Sequence, residues 1–112
     1  MLQLYFITTY LAKYNDDIQK LFTDLRGMVI HSVDCDLEEK LWAKLPSYYL
    51  DDKFIRLIPF KDHVNIEAKS VMKYSEQLHE YKITPKGMLQ IYLKQDIPKD
   101  VLSRVFSDTL MN

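Results

Sequence analysis

Apolar residues recur at helical spacing through Ile18, Leu21, Phe22, Leu25 and Val29, directly after Asn15-Asp16-Asp17, whose short polar side chains suit a helix N-terminus. The pattern predicts an amphipathic helix that ends between Gly27 and Val33. Gly27 weakens the interior by about 1 kcal/mol relative to alanine, and β-branched residues from Val29 to Val33 leave a strand reading open there. Upstream, Thr8 or Thr9 would cap a short helix through Tyr10, Leu11 and Ala12.

From Glu39 the period changes to two, with Leu41, Ala43 and Leu45 on one face and Lys40, Trp42 and Lys44 on the other. This predicts a first strand. Asp51-Asp52 and Lys61-Asp62 read as turns around strands at Phe54–Ile58 and His63–Ala68, so the three strands form an antiparallel meander. Pro59 has no N–H for a ladder and belongs at a strand end or edge. Helical spacing resumes through Val71, Tyr74, Ser75 and Leu78, predicting a helix over 70–81 with Ser70 as its cap. After Pro85-Lys86-Gly87 come a fourth strand over 88–93 and a last helix opened by Pro98 and carrying Val101, Leu102, Val105, Phe106 and Leu110. Grouped strands with helices at their ends predict an α+β two-layer sandwich: a mainly antiparallel sheet of about four or five strands, helices on one face, the other face partly open.

The 112 residues suit one domain, 1–112, and a 47% hydrophobic content excludes disorder and low-complexity scaffolding. A net charge of -1 gives little attraction for polyanions, so neither nucleic acid nor an anionic membrane is an expected partner. No stretch approaches the ~18 apolar residues of a membrane span, and the apolar start, Met1 to Ile7, lacks a basic leader region. A lone Cys35, with no disulfide partner and no zinc spacing around it, fits a reducing cytoplasm. Charge is unevenly distributed: residues 1–39 carry 3 basic and 7 acidic side chains, and residues 40–112 carry 12 and 9. Segregated in space, such regions would steer docking; intermixed, they would not.

Three stretches together resemble the YdhG-like domain family: Glu39 to Pro46 with Trp42, Phe54 to Ile66 with Phe60-Lys61-Asp62-His63, and Thr84 to Gln90 followed by Ile97-Pro98. The likeness spans about Tyr10 to Leu110. It implies a compact two-layer fold, and for the members labelled frataxin-like iron chaperones it implies ferrous iron as cargo. Three residues rather than two separate Trp42 from Pro46, which places a loop or bulge near Lys44, and the early helices lack a dense acidic ridge.

Hard divalent ions favour carboxylate oxygens, which makes Asp34, Asp36, Glu38 and Glu39 candidate metal ligands; a solvated connector before the first strand is the plainer account of the same run. Cys35 would add a softer ligand or be a small buried residue. His63, Asn65 and Glu67 alternate along one strand and share a face, so His63 and Glu67 join the metal candidates or simply form the wet side of the sheet. Trp42, Lys44 and Arg56, amid Tyr48, Tyr49, Phe54 and Phe60, suit stacking on a planar ligand or partner; Trp42 is either core or part of an open binding face. No GxSxG or Cys/His signature occurs, and two glycines, Gly27 and Gly87, cannot build a phosphate-cradling loop. The expectation is a non-enzymatic binding domain for a small ligand or metal ion, with a homodimer using an aromatic sheet face as the alternative.

Overall fold

The computed structural model describes residues 4–112. Three α-helices, α1 (Leu4–Leu11), α2 (Asp16–His31) and α3 (Lys99–Met111), accompany six strands: β1 (Glu38–Trp42), β2 (Leu45–Leu50), β3 (Lys53–Pro59), β4 (His63–Ala68), β5 (Lys82–Ile83) and β6 (Leu89–Tyr92). The sheet is antiparallel throughout, in the order β1-β2-β3-β4-β6-β5. The α+β architecture is the expected one, with six strands where four or five were predicted.

Two strands go beyond the four placed along the chain: the two-residue β5, which pairs with β6, and one from a hairpin concealed in an alternating pattern. Ala43 and Lys44 both take positive φ, 50° and 66°, the sign pattern of a type I′ turn, which closes β1 on β2 with Trp42 opposite Leu45. Such turns favour Asn and Gly, so the period-two reading runs straight through an Ala-Lys pair, and only the extra residue between Trp42 and Pro46 points to the loop near Lys44. Asp51, at φ 56°, turns β2 into β3 as the Asp51-Asp52 pair predicts.

Asn15 caps α2, its Oδ1 accepting from the Ile18 amide at 2.8 Å, and the helix buries Ile18, Leu21, Phe22, Leu25 and Val29. It continues to His31, so the strand alternative for Val29 to Val33 does not arise. Thr8 and Thr9 lie inside α1 rather than capping it, and the Thr9 hydroxyl donates back to the Tyr5 carbonyl at 3.2 Å. The helix predicted over 70–81 is instead a 3-10 helix, Lys69–Tyr74, followed by turns, with Ser70 in its interior. It is anchored from outside: Lys73 Nζ donates to Asp108 at 2.8 Å, the Tyr74 hydroxyl donates to the same carboxylate, and the Ser70 amide donates to Thr109 Oγ1 at 3.1 Å. These bonds to α3 reward a short tight turn over a longer helix.

The core lies between α2 and α3 and one face of the sheet, where Ile55, Leu57, Val64, Ile66, Leu89 and Ile91 are buried against Phe22, Leu25, Leu102, Val105 and Phe106. Alternation sends Arg56, Ile58, His63, Asn65, Glu67 and Tyr92 to the opposite face. No described helix is long and apolar enough to cross a membrane.

Candidate functional site

Register assembles the site on the face turned away from the helices. Lys40, Ser47, Arg56 and Glu67 form one row across β1 to β4, with Glu38, Tyr49 and Phe54 in the row beside it. Trp42 opposite Leu45 continues the face toward the β1–β2 turn. Trp42 is 51% exposed, which settles its placement on the open face.

At the centre stands Arg56, only 5% exposed on a face that none of the described helices packs against. Its guanidinium carbon lies 4.0 Å from the Trp42 ring centre and 3.9 Å from that of Phe54. Nη1 donates to Glu67 at 3.2 Å and Nη2 to the Tyr49 hydroxyl at 2.9 Å. A cation shared by two rings is attracted to both quadrupoles, and the planar fork holds the rings in place. Phe54 also meets Tyr49 with ring centres 5.7 Å apart, and Lys40 Nζ sits 4.6 Å from the Tyr49 ring centre. The structure thus joins Trp42 and Arg56. Lys44 sits exposed at the turn, without an ion pair or ring contact among the described residues.

A second stack occupies the other end of the face. His63 lies between Phe60 and Tyr92, with ring centres 4.6 Å away on both sides, and its Nδ1 is 2.7 Å from Asp62 Oδ1. This hydrogen bond holds the Asp62 carboxyl below its ordinary range. Tyr92 had no sequence signal tying it to His63; only the β4–β6 register sets them opposite each other.

The six metal candidates do not converge. Glu39 points to the helix side and is buried, its two oxygens accepting from Arg26 Nε at 2.6 Å and Nη2 at 2.8 Å. That bond raises the Arg26 pKa, and burial, helped by Glu39, pushes the Tyr48 hydroxyl well up. Glu38 pairs with Lys40 at 3.5 Å, Glu67 with Arg56 and His63 with Asp62. Asp34 and Asp36 are exposed in the connector, as is Cys35, which is therefore no core residue. Among the described residues no three His, Cys, Asp or Glu side chains form a group able to hold a metal ion. Strand alternation puts Glu38 and Glu39, neighbours in sequence, on opposite sides of the sheet. Tyr48 is separated from Tyr49 in the same way and belongs to the core.

Comparison with protein-family models, with curated proteins and with solved structures gives no match to this chain.

Proposed function

We propose that this protein is a non-enzymatic interaction domain whose open sheet face pairs with the same face of a second copy. The observation that carries the reading is the Arg56 clamp: an ordered cation between two rings, one of them half exposed, on the side of the sheet that the helices leave bare. Rigid aromatic surface held in place before binding loses little freedom on docking. The neighbouring Glu38 and Lys40 are both exposed and of opposite sign, which suits a twofold contact in which each copy presents the same patch. Six strands spaced about 4.8 Å apart, the longest about 23 Å, offer roughly 900 Å² in total from two copies, near the roughly 1,000 Å² at which specific interfaces begin. The dimer is accordingly reversible, on the order of micromolar or weaker in dissociation constant.

The resemblance to YdhG-like domains accords with a binding role. Its iron-handling extension draws no support from the geometry, because the carboxylates proposed as ligands are dispersed and three of them are engaged by Arg26, Lys40 and Arg56.

Sedimentation equilibrium tests the reading. Average mass should rise with concentration toward twice 13.4 kDa, and Trp42→Ser, which alters a half-exposed side chain, should return it to the monomer value. A monomer mass at all concentrations, or an unaltered dimer in the variant, removes this face as the contact.

A further inference from the structure

At one end of the sheet, where the β2–β3 turn, the 3-10 helix and the turn at 84–87 converge, lies a cleft of about 470 Å³. Its size falls within the roughly 300–1,000 Å³ of small-molecule sites. Phe54, Ala68 and Met72 supply apolar wall, and Lys53, Lys69 and Lys86 stand around it. None of these three ammonium groups has an ion-pair partner among the described residues, unlike Lys20, Lys40 and Lys73. Of the two carboxylates on the cleft, Asp52 and Glu67, the latter is already held by Arg56. The cleft therefore combines an excess of positive charge, three lysines against the carboxylate of Asp52, with an apolar surface.

Local geometry explains how Lys86 reaches this place. The Gly87 amide donates to the Thr84 carbonyl at 2.8 Å and the Met88 amide to Thr84 Oγ1 at 3.1 Å, closing a tight turn with Pro85 and Lys86 at its corners. Gly87 takes φ +88°, which a side chain would strain, and its α-carbon faces Met72 across the cleft wall. The turn and the 3-10 helix thus hold Lys86 and Met72 on one opening. Lys53 is half buried at the start of β3, beside the end of β4 that carries Ala68.

We propose that this cleft binds a small amphipathic organic anion, its carboxylate or other acidic head met by Lys53, Lys69 and Lys86 and its apolar body laid against Phe54, Ala68 and Met72. The apolar wall separates this class from an inorganic anion, which would leave the wall unused, and the lysines separate it from a neutral lipid or alcohol. The cleft borders the dimer face and shares Phe54 and Glu67 with it, but Trp42 does not line it, so Trp42→Ser removes no wall of the cleft and separates the two readings.

Calorimetric titration with decanoate, decanol and inorganic phosphate tests the proposal. Decanoate should bind saturably at one per chain, and decanol and phosphate at least tenfold more weakly. Lys53→Met with Lys86→Met should weaken decanoate at least tenfold and leave decanol unchanged. Met72→Asp, made on an exposed side chain, should weaken decanoate with no loss of fold, which guards against a lysine variant that folds poorly. Equal affinity for phosphate or decanol overturns the ligand class. Absence of decanoate binding, or affinity unchanged in the lysine pair and in Met72→Asp, overturns the site; lysines that only steadied the nearby end of α3 would lower the melting temperature and leave affinity alone.

Discussion

Two arginines in this small protein meet opposite physical situations. Arg26 forms a bidentate bond with Glu39, whose side chain is fully buried at the helix–sheet boundary. Removing the acid leaves a guanidinium short of its partner in a largely dry site, and breaking such a pair costs about 3–5 kcal/mol. Glu39→Ala should lose about that much in urea unfolding; a loss near zero would mean that water reaches Arg26. Arg56 is also buried, but its surroundings are rings, and its Nε has no partner among the described residues. Its carboxylate partner Glu67 is 34% exposed, so water can take the place of the lost cation, unlike at the buried Arg26–Glu39 pair. Arg56→Met should therefore change unfolding free energy by no more than about 1 kcal/mol while abolishing the concentration-dependent dimer. A parallel loss of stability and dimer would make Arg56 a fold residue.

At the scale of elements, the β1–β2 hairpin closes through two residues whose side chains crowd the left-handed region. Each non-glycine residue there costs roughly 1–2 kcal/mol, part of which glycine recovers against its greater freedom in the unfolded chain. Lys44→Gly should raise stability by about 0.5–1 kcal/mol, read as a higher urea midpoint with unchanged slope. The join between the 3-10 helix and α3 responds to pH instead. Hydrogen bonds from Lys73 and Tyr74 hold the Asp108 carboxyl below its ordinary value. Its folded pKa is thus lower than its unfolded one, so its contribution is present above the ordinary carboxylate range near pH 4 and fades as pH falls through the lowered value. Asp108→Asn should flatten the decline in stability between about pH 5 and pH 2, measured by urea unfolding at each pH. A decline as steep as that of the parent chain would assign it to other carboxylates.

For the whole molecule, one-sided coverage is the decisive property. α2 and α3 pack on one face of the sheet, and the other retains half-exposed Trp42 and exposed Phe60 at its two ends. A second copy on that face would move Trp42 from water into a drier setting. Its emission should shift to shorter wavelength as concentration rises and return on dilution. An unchanged spectrum alongside a rising mass would place the contact elsewhere, the free edge of β1 being the next surface to test.

Local chemistry made much of this legible in the chain. Asn15-Asp16-Asp17 marks the start of α2, Asp51-Asp52 and Lys61-Asp62 mark two turns, and alternation assigns Val64 and Ile66 to the core against His63 and Glu67, because caps, turns and the strand period act within a few residues. The α+β class follows from that order of elements. Tertiary structure alone decided what depends on distant partners. Bonds to Asp108 and Thr109 shortened the helix predicted over 70–81, and a turn with no Asn or Gly split one apparent strand into two. Strand register separated Glu39 from Glu38, set His63 between Phe60 and Tyr92, and placed Arg56 between Trp42 and Phe54. Sequence proximity brought the acidic residues together on paper, but in a sheet adjacent residues face opposite ways while strangers in sequence become neighbours, so the candidate site is a product of register.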